Sequence, residues 1–168
     1  MLNKSDIEKA MNLLNDALAK KDIKGEICLY GGAVMCLVYD ARPSTKDIDA
    51  IFHPSKELRE LIAQVGNELK IGDHWLNDGV KGYVVDHPRH VFFQKSHLQV
   101  MVPEPDYLLA MKVLAARADT SDATDVRFLI KKLGLTTPAQ VFKILEQYYP
   151  QNRIRPATQF FVEEILGS

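Results

Sequence analysis

Asp47-Ile48-Asp49 opens an otherwise apolar run, Ala50-Ile51-Phe52, and places two carboxylates two residues apart. On a β-strand, residues two apart point the same way, so both carboxylates are expected side by side on one face. Like charges at that range repel and raise one pKa unless a cation intervenes. Mg²⁺ or Mn²⁺ removes the penalty, and Mg²⁺ is commonly held by one or two carboxylates together with the phosphates of a substrate. A solvated strand face is the bland alternative for the same tripeptide. Upstream, Gly31-Gly32 separates the short apolar run Glu26–Tyr30 from a second one, Ala33 to Tyr39. Glycines at a strand-to-helix junction let the backbone approach a phosphate, and the free N–H groups of a helix start favour an anion. A tight turn is the competing explanation. With Arg42, Ser44 and Thr45 between the two features, a phosphate cradle of Gly31, Gly32 and Ser44 precedes a metal pair of Asp47 and Asp49. That is the layout nucleotidyl or phosphoryl transfer requires.

Lys112 is the third notable residue. Its neighbours from Tyr107 to Ala116 are otherwise apolar, so its helix is expected to be buried nearly all round. A lone ammonium there needs a partner. Asp122, Asp125, the Asp47/Asp49 pair and a substrate phosphate are the candidates; a lysine snorkelling at the helix edge is the alternative.

Hydrophobic periodicity supplies the elements that must position these groups. Ser5-Asp6-Ile7-Glu8 reads as a capping box, followed by Ile7, Met11, Leu14 and Leu18 at helical spacing. Strands are expected at Glu26–Tyr30 and Asp47–Phe52, with a short helix from Ala33 between them. Pro54-Ser55 restarts a helix whose apolar face is Leu58, Leu61, Ile62, Val65 and Leu69. Residues 72–82 are turn-rich, with Trp75-Leu76 as a candidate helical turn, Trp75 as a core anchor, and His74 in a loop with a ligand role as the alternative. Tyr83–Val85 and His90–Gln94 are candidate strands around a turn at Asp86-His87-Pro88, and Leu98–Val102 is a further strand. Four helices then follow: Asp106–Arg117, Asp122–Leu133, Pro138–Tyr148 and Pro156–Leu166. Thr137-Pro138-Ala139-Gln140 supplies an N-cap, a proline at the first helical position and a glutamine at the third. Lys131-Lys132 suits a helix end, and Tyr148-Tyr149 suits packing against the final helix. The basic stretch His87, Arg89, His90, Lys95 and His97 reads as a charged edge hairpin, with phosphate contact as the alternative. The predicted fold class is α/β (α+β), a mixed sheet flanked by helices. It forms one domain, with a mixed core over about 1–102 and a helical part over about 103–168.

Composition agrees with this class. The 168 residues are 46% hydrophobic and 26% charged, with a formal net charge of -1, which argues against bulk electrostatic binding of nucleic acid. Cys28 and Cys36 form no zinc or disulfide pattern. No apolar leader or 18-residue apolar stretch is present, so a cytoplasmic protein with no membrane contact is expected.

Leu29-Tyr30-Gly31-Gly32-Ala33, Tyr39, Arg42, Ser44-Thr45 and Asp47-Ile48-Asp49 together resemble the signature of the minimal nucleotidyltransferases, which share the DNA polymerase beta catalytic fold. Pro105-Asp106, Leu108-Leu109-Ala110-Met111-Lys112, Ala115 and Arg117 resemble the lysine-bearing helix of the AbiEii-like branch. Ser121-Asp122 with Asp125-Val126 is similar to the acidic segment that follows it, and Tyr148-Tyr149-Pro150 to the tail. The resemblance spans roughly residues 26–150. It implies transfer of a nucleoside monophosphate from an NTP to an acceptor, which is RNA such as tRNA, a protein or a small molecule. Asp47 and Asp49 would hold Mg²⁺ or Mn²⁺, Lys112 would contact the triphosphate, and Asp125 would position Lys112 or the acceptor. Asp122 is better explained as a helix cap. Members of that branch include toxins paired with an antitoxin protein. The chain departs from the superfamily in its third carboxylate: the strand beginning His97-Leu98 carries Gln99 and no acid, leaving Asp86 and Glu104 as substitutes. The alternative function is therefore a nucleotide- or partner-binding module without turnover.

Overall fold

In the computed structural model of the chain, residues 1–115 and 121–167 are described. Arg117, expected in the lysine-bearing helix, lies outside the described residues. The elements in order are β1 (Leu2–Asn3), α1 (Lys4–Lys20), β2 (Gly25–Tyr30), α2 (Gly31–Leu37), β3 (Ser44–Thr45), β4 (Ile48–His53), α3 (Ser55–Leu69), β5 (Leu76–Asn77), a 3₁₀ turn (Gly79–Gly82), β6 (Arg89–Gln94), β7 (Leu98–Pro103), α4 (Pro105–Ala115), α5 (Ser121–Lys132), α6 (Pro138–Tyr148), a second 3₁₀ turn (Gln151–Arg153) and α7 (Pro156–Leu166). This is the mixed α/β class the periodicity predicts. The chain divides into two compact units, Met1–Gly82 with Arg89–Val102, and Tyr83–Pro88 with Pro103–Ser168.

The first unit is built on a five-stranded sheet ordered β5-β4-β2-β7-β6, beside a two-residue ladder of β1 with β3. β2 runs antiparallel to β4 and parallel to β7. Its residues Ile27 to Tyr30 are all buried, the continuous apolar run of a strand covered on both faces. β4 alternates buried Ile48, Ala50 and Phe52 with half-buried Asp49 and Ile51, the pattern of a strand with one dry face. α1 packs on α3 through Ile7, Met11, Leu14 and Leu18 on one side and Leu58, Leu61, Ile62 and Val65 on the other. The Cys28 and Cys36 thiols are buried, and burial pushes both pKa values up, so neither behaves as a nucleophile.

Four local expectations are corrected. Helix α1 is capped by Asn3, whose side chain accepts from the Asp6 N–H while Asp6 reaches back to the Asn3 N–H; Ser5 and Glu8 do not form the box. Both pairs have the right spacing, and the pairing of Leu2–Asn3 with β3 ends the extended chain at Asn3. The turn-rich segment after Gly72 contains a strand: β5 pairs parallel to β4, Ile48 with Leu76 and Asp49 with Asn77. Tyr83–Val85 is not a strand. β6 instead neighbours β7 across Lys95-Ser96-His97, closed by the Lys95 N–H to the Leu98 carbonyl at 2.8 Å, so the hairpin turn lies there and not at Asp86-His87-Pro88. Tyr148 and Tyr149 in addition bond through their hydroxyls to Asp106, Tyr107 and Tyr83.

In the second unit α4 packs against α5, α6 and α7. The Thr137/Gln140 capping box and Pro138 start α6 as the sequence predicts. Lys131 and Lys132 occupy the last turn of α5, where the helix dipole favours cations. Val85 donates its N–H to the Tyr107 hydroxyl at 3.1 Å, the Tyr107 and Tyr149 hydroxyls are 2.9 Å apart, and Tyr149 donates to the Tyr83 carbonyl at 2.9 Å. Tyr148 donates to Asp106 Oδ2 at 2.8 Å. Burial and these bonds raise both phenol pKa values, that of Tyr148 to about 12. A phenol with a raised folded-state pKa stabilises fully below its unfolded value near 10 and loses that contribution as pH rises through the folded value. Thermal midpoints are therefore expected to fall between about pH 10 and pH 12. Tyr148→Phe/Tyr149→Phe should lower the neutral-pH midpoint and flatten this fall; an unchanged slope would show that other groups govern it.

Candidate active site

Tyr30, the last residue of β2, is the cross-strand partner of Asp49 on β4. The chain then turns into α2 through Gly31, which sits at φ +63, a region closed to most side chains. A Cβ on Gly31 would lie 2.9 Å from Asp49 Oδ2, so the carboxylate rests directly against the glycine. A Cβ on Gly32 would lie 2.6 Å from Arg42 Nη1 and 2.7 Å from Thr45 Oγ1. The glycine pair thus has a carboxylate on one side, and a guanidinium and a hydroxyl on the other. Both glycines belong to the first turn of α2, so the helix starts two residues earlier than the Ala33 expected from sequence.

Asp47 lies in a bend just before β4, whereas the sequence reading had the strand start with it. Asp47 and Asp49 are both half-buried, with buried Ile48 between them. The bend is held by Thr45, whose hydroxyl donates to the Asp47 carbonyl at 3.0 Å, and by the Ile48 N–H, which donates to the Trp75 carbonyl at 2.8 Å. Trp75 is buried and donates from Nε1 to the Ile62 carbonyl at 2.7 Å, the core anchor its type predicts. Ser44 pairs with Asn3 on the β1–β3 ladder. Neighbours on a strand face opposite ways, so Thr45 and not Ser44 is the hydroxyl beside Gly32. Sequence reasoning gave Arg42 and Thr45 no role. Their signal is their place in the motif between Gly31-Gly32 and Asp47.

In the second unit Lys112 is buried, and its Nζ lies 2.6 Å from Asp125 Oδ2 and 3.8 Å from Asp122 Oδ1. Asp125 is itself buried. The lysine is thus paired within its own unit and does not snorkel. Asp122 is the second residue of α5, inside the helix and one turn before Asp125, so it faces Lys112 and is not the cap.

Gln99 is not brought to the pair. Gln99 is level with Glu26, which faces His53, while Asp49 is level with Tyr30 at the other end of β2. Four residues of strand, roughly 13 Å, separate those levels. Asp86 and Glu104 belong to the second unit. Among the described residues no group of three or more His, Cys, Asp or Glu side chains is placed to hold a metal ion. Two hard, half-buried carboxylates are a donor set that suits Mg²⁺, and one of them, Asp49, rests against Gly31. The histidines are placed otherwise. His74 is exposed, His87 stacks on Tyr107 with centroids 4.0 Å apart, and His97 Nε2 is 3.0 Å from Asp22. Among the described residues no helix is long and apolar enough to cross a membrane.

No curated protein and no solved structure matches the chain. A family model described as a nucleotidyltransferase of unknown function, DUF6036, matches residues 5–141, a span that includes Gly31-Gly32, Asp47, Asp49, Lys112 and Asp125. The chain belongs to this nucleotidyltransferase family.

Proposed function

We propose that the protein is a Mg²⁺-dependent nucleotidyltransferase of the AbiEii-like kind, acting on RNA, protein or a small molecule as the toxin component of a toxin–antitoxin pair. The observation that carries this reading is the placement of Asp49 against Gly31, with Arg42 and Thr45 against Gly32. Asp47 and Asp49 would hold the metal, which when bound neutralises phosphate charge and polarises the α-phosphate. The Gly31 and Gly32 backbone would take the phosphates, with the hydroxyl of Ser44 as a further donor, and Arg42 would supply positive charge beside them. An acceptor hydroxyl oxygen bonds to the α-phosphorus, the bond to the β-phosphate oxygen breaks, and pyrophosphate leaves. The hydroxyl proton passes to a carboxylate of the pair or to water. Contact of Lys112 with the triphosphate is carried over from the resemblance, with Asp125 fixing the ammonium.

A binding module without turnover is the second reading, favoured by the lack of an acid on β7. Thermal unfolding with each NTP, with and without Mg²⁺, tests the site. A ligand at about 100 times its dissociation constant adds about 2.7 kcal/mol, which raises the midpoint of a domain this size by about 5–10 °C. The expected result is a Mg²⁺-dependent rise for at least one NTP, lost in Asp47→Ala/Asp49→Ala. No rise with any NTP sinks the nucleotide site and leaves only a partner-binding module. A rise without transfer of an α-labelled nucleotide to any acceptor in a cell extract selects the binding module.

A further inference from the structure

We propose that the outer edge of β6 is a docking site for an extended acidic peptide, which adds to the sheet as a sixth strand. β6 ends the strand order of the sheet, so among the described residues no strand pairs with its far side. The Lys95 N–H points inward to the Leu98 carbonyl, and antiparallel alternation then directs the amides of Phe92 and Gln94 outward. An edge with unpaired backbone groups is a template for another chain.

The side chains identify the occupant. Val91 is 47% and Phe92 37% exposed, and as strand neighbours they lie on opposite faces. A strand laid alongside β6 covers apolar surface on both faces at once. Arg89, His90 and Lys95 flank this apolar centre, and no Asp or Glu occurs between His87 and Pro103. Charge complementarity therefore selects a partner strand that carries carboxylates. Two other occupants fit less well. A single-stranded RNA needs rings on one face to stack bases. Here Phe92 and Phe93 fall on opposite faces, with ring planes at 63°, and Lys95 Nζ already lies 5.4 Å from the centre of the Phe93 ring. A second copy of this chain would bring the same basic side chains against one another.

Amide hydrogen exchange of the full chain tests the site. The probe is a blocked peptide of alternating Glu and Val; the controls are its Lys/Val counterpart, the acidic peptide N-methylated at alternate residues, and octauridylate. At about 1 mM the acidic peptide is expected to slow exchange at Phe92 and Gln94 by about tenfold, and both peptide controls to leave it unchanged. Arg89→Glu/Lys95→Glu keeps the strand and is expected to transfer the preference to the Lys/Val peptide. The proposal is overturned by unchanged exchange with the acidic peptide, by equal protection from the lysine or N-methylated peptide, or by a charge-reversed variant that still prefers the acidic one. Protection by octauridylate alone, or protection that grows with protein concentration without peptide, overturns it in favour of RNA or of a second copy.

Discussion

Asp125→Ala lowers the stability of the protein by about 3–5 kcal/mol, because it leaves a buried ammonium without its close partner. Lys112 is 8% exposed and Asp125 2% exposed, and their 2.6 Å contact is the short, charge-assisted kind. Asp122 remains at 3.8 Å and is about a third exposed, so it compensates in part and sets the effect at the lower end of that range. The midpoint should drop by about 10 °C. Lys112→Met should cost a similar amount, since it strands the Asp125 carboxylate instead. Lys112→Met/Asp125→Leu replaces both charges with apolar groups of similar volume and should recover most of the loss. Urea unfolding of the three variants checks this; a loss below about 1 kcal/mol in Asp125→Ala would mean that water reaches the lysine. The comparison also separates architecture from chemistry. A stable double variant that still responds to NTP and Mg²⁺ would confine the pair to holding α4 against α5.

Gly66→Ala is expected to destabilise, against the usual sign. In a helix interior this substitution normally gains about 1 kcal/mol. At this position of α3 an added Cβ would overlap the Gly72 carbonyl oxygen and lie 2.8 Å from Trp75 Cδ1. Neither neighbour can yield easily. The Ile71 N–H donates to the Gly66 carbonyl at 2.9 Å, and the buried indole is tied to the Ile62 carbonyl. Overpacking of this kind costs about 1–3 kcal/mol or more, so a net loss of about 2 kcal/mol is expected. The consequence extends to the candidate site. The chain that Gly66 accommodates carries Trp75, which accepts from the Ile48 N–H, and β5, where Asn77 pairs with Asp49. The variant should therefore show a lower midpoint together with a smaller NTP response. A midpoint equal to or above that of the unaltered protein would refute the close approach.

Periodicity and punctuation made most of the elements legible. The apolar spacing of α1 and α3, the Thr137-Pro138 start of α6 and the buried run of β2 are local signals, and local signals survive in any tertiary context. The candidate site residues stand out in the sequence too, because Gly31-Gly32 and Asp47/Asp49 are unusual residue types for a strand–helix–strand unit, and Lys112 is a charge in an apolar helix. The weak elements were not. β5 is two residues long and acquires its strand character only by pairing with β4. Ser5/Glu8 and Asn3/Asp6 offer the same capping spacing, and only the β1–β3 ladder chooses between them.

The sequence by itself determined the α/β class, the glycine turn, the carboxylate pair and the need of Lys112 for a partner, since each follows from residue type and near-neighbour spacing. Only the tertiary structure decided that Asp125 is that partner, that Arg42 and Thr45 stand beside Gly32, and that Gln99 is level with His53 and not with Asp49. The reason is physical. Which side chains meet across a turn or a sheet depends on register and strand order, and these are set by pairings between residues far apart in the chain.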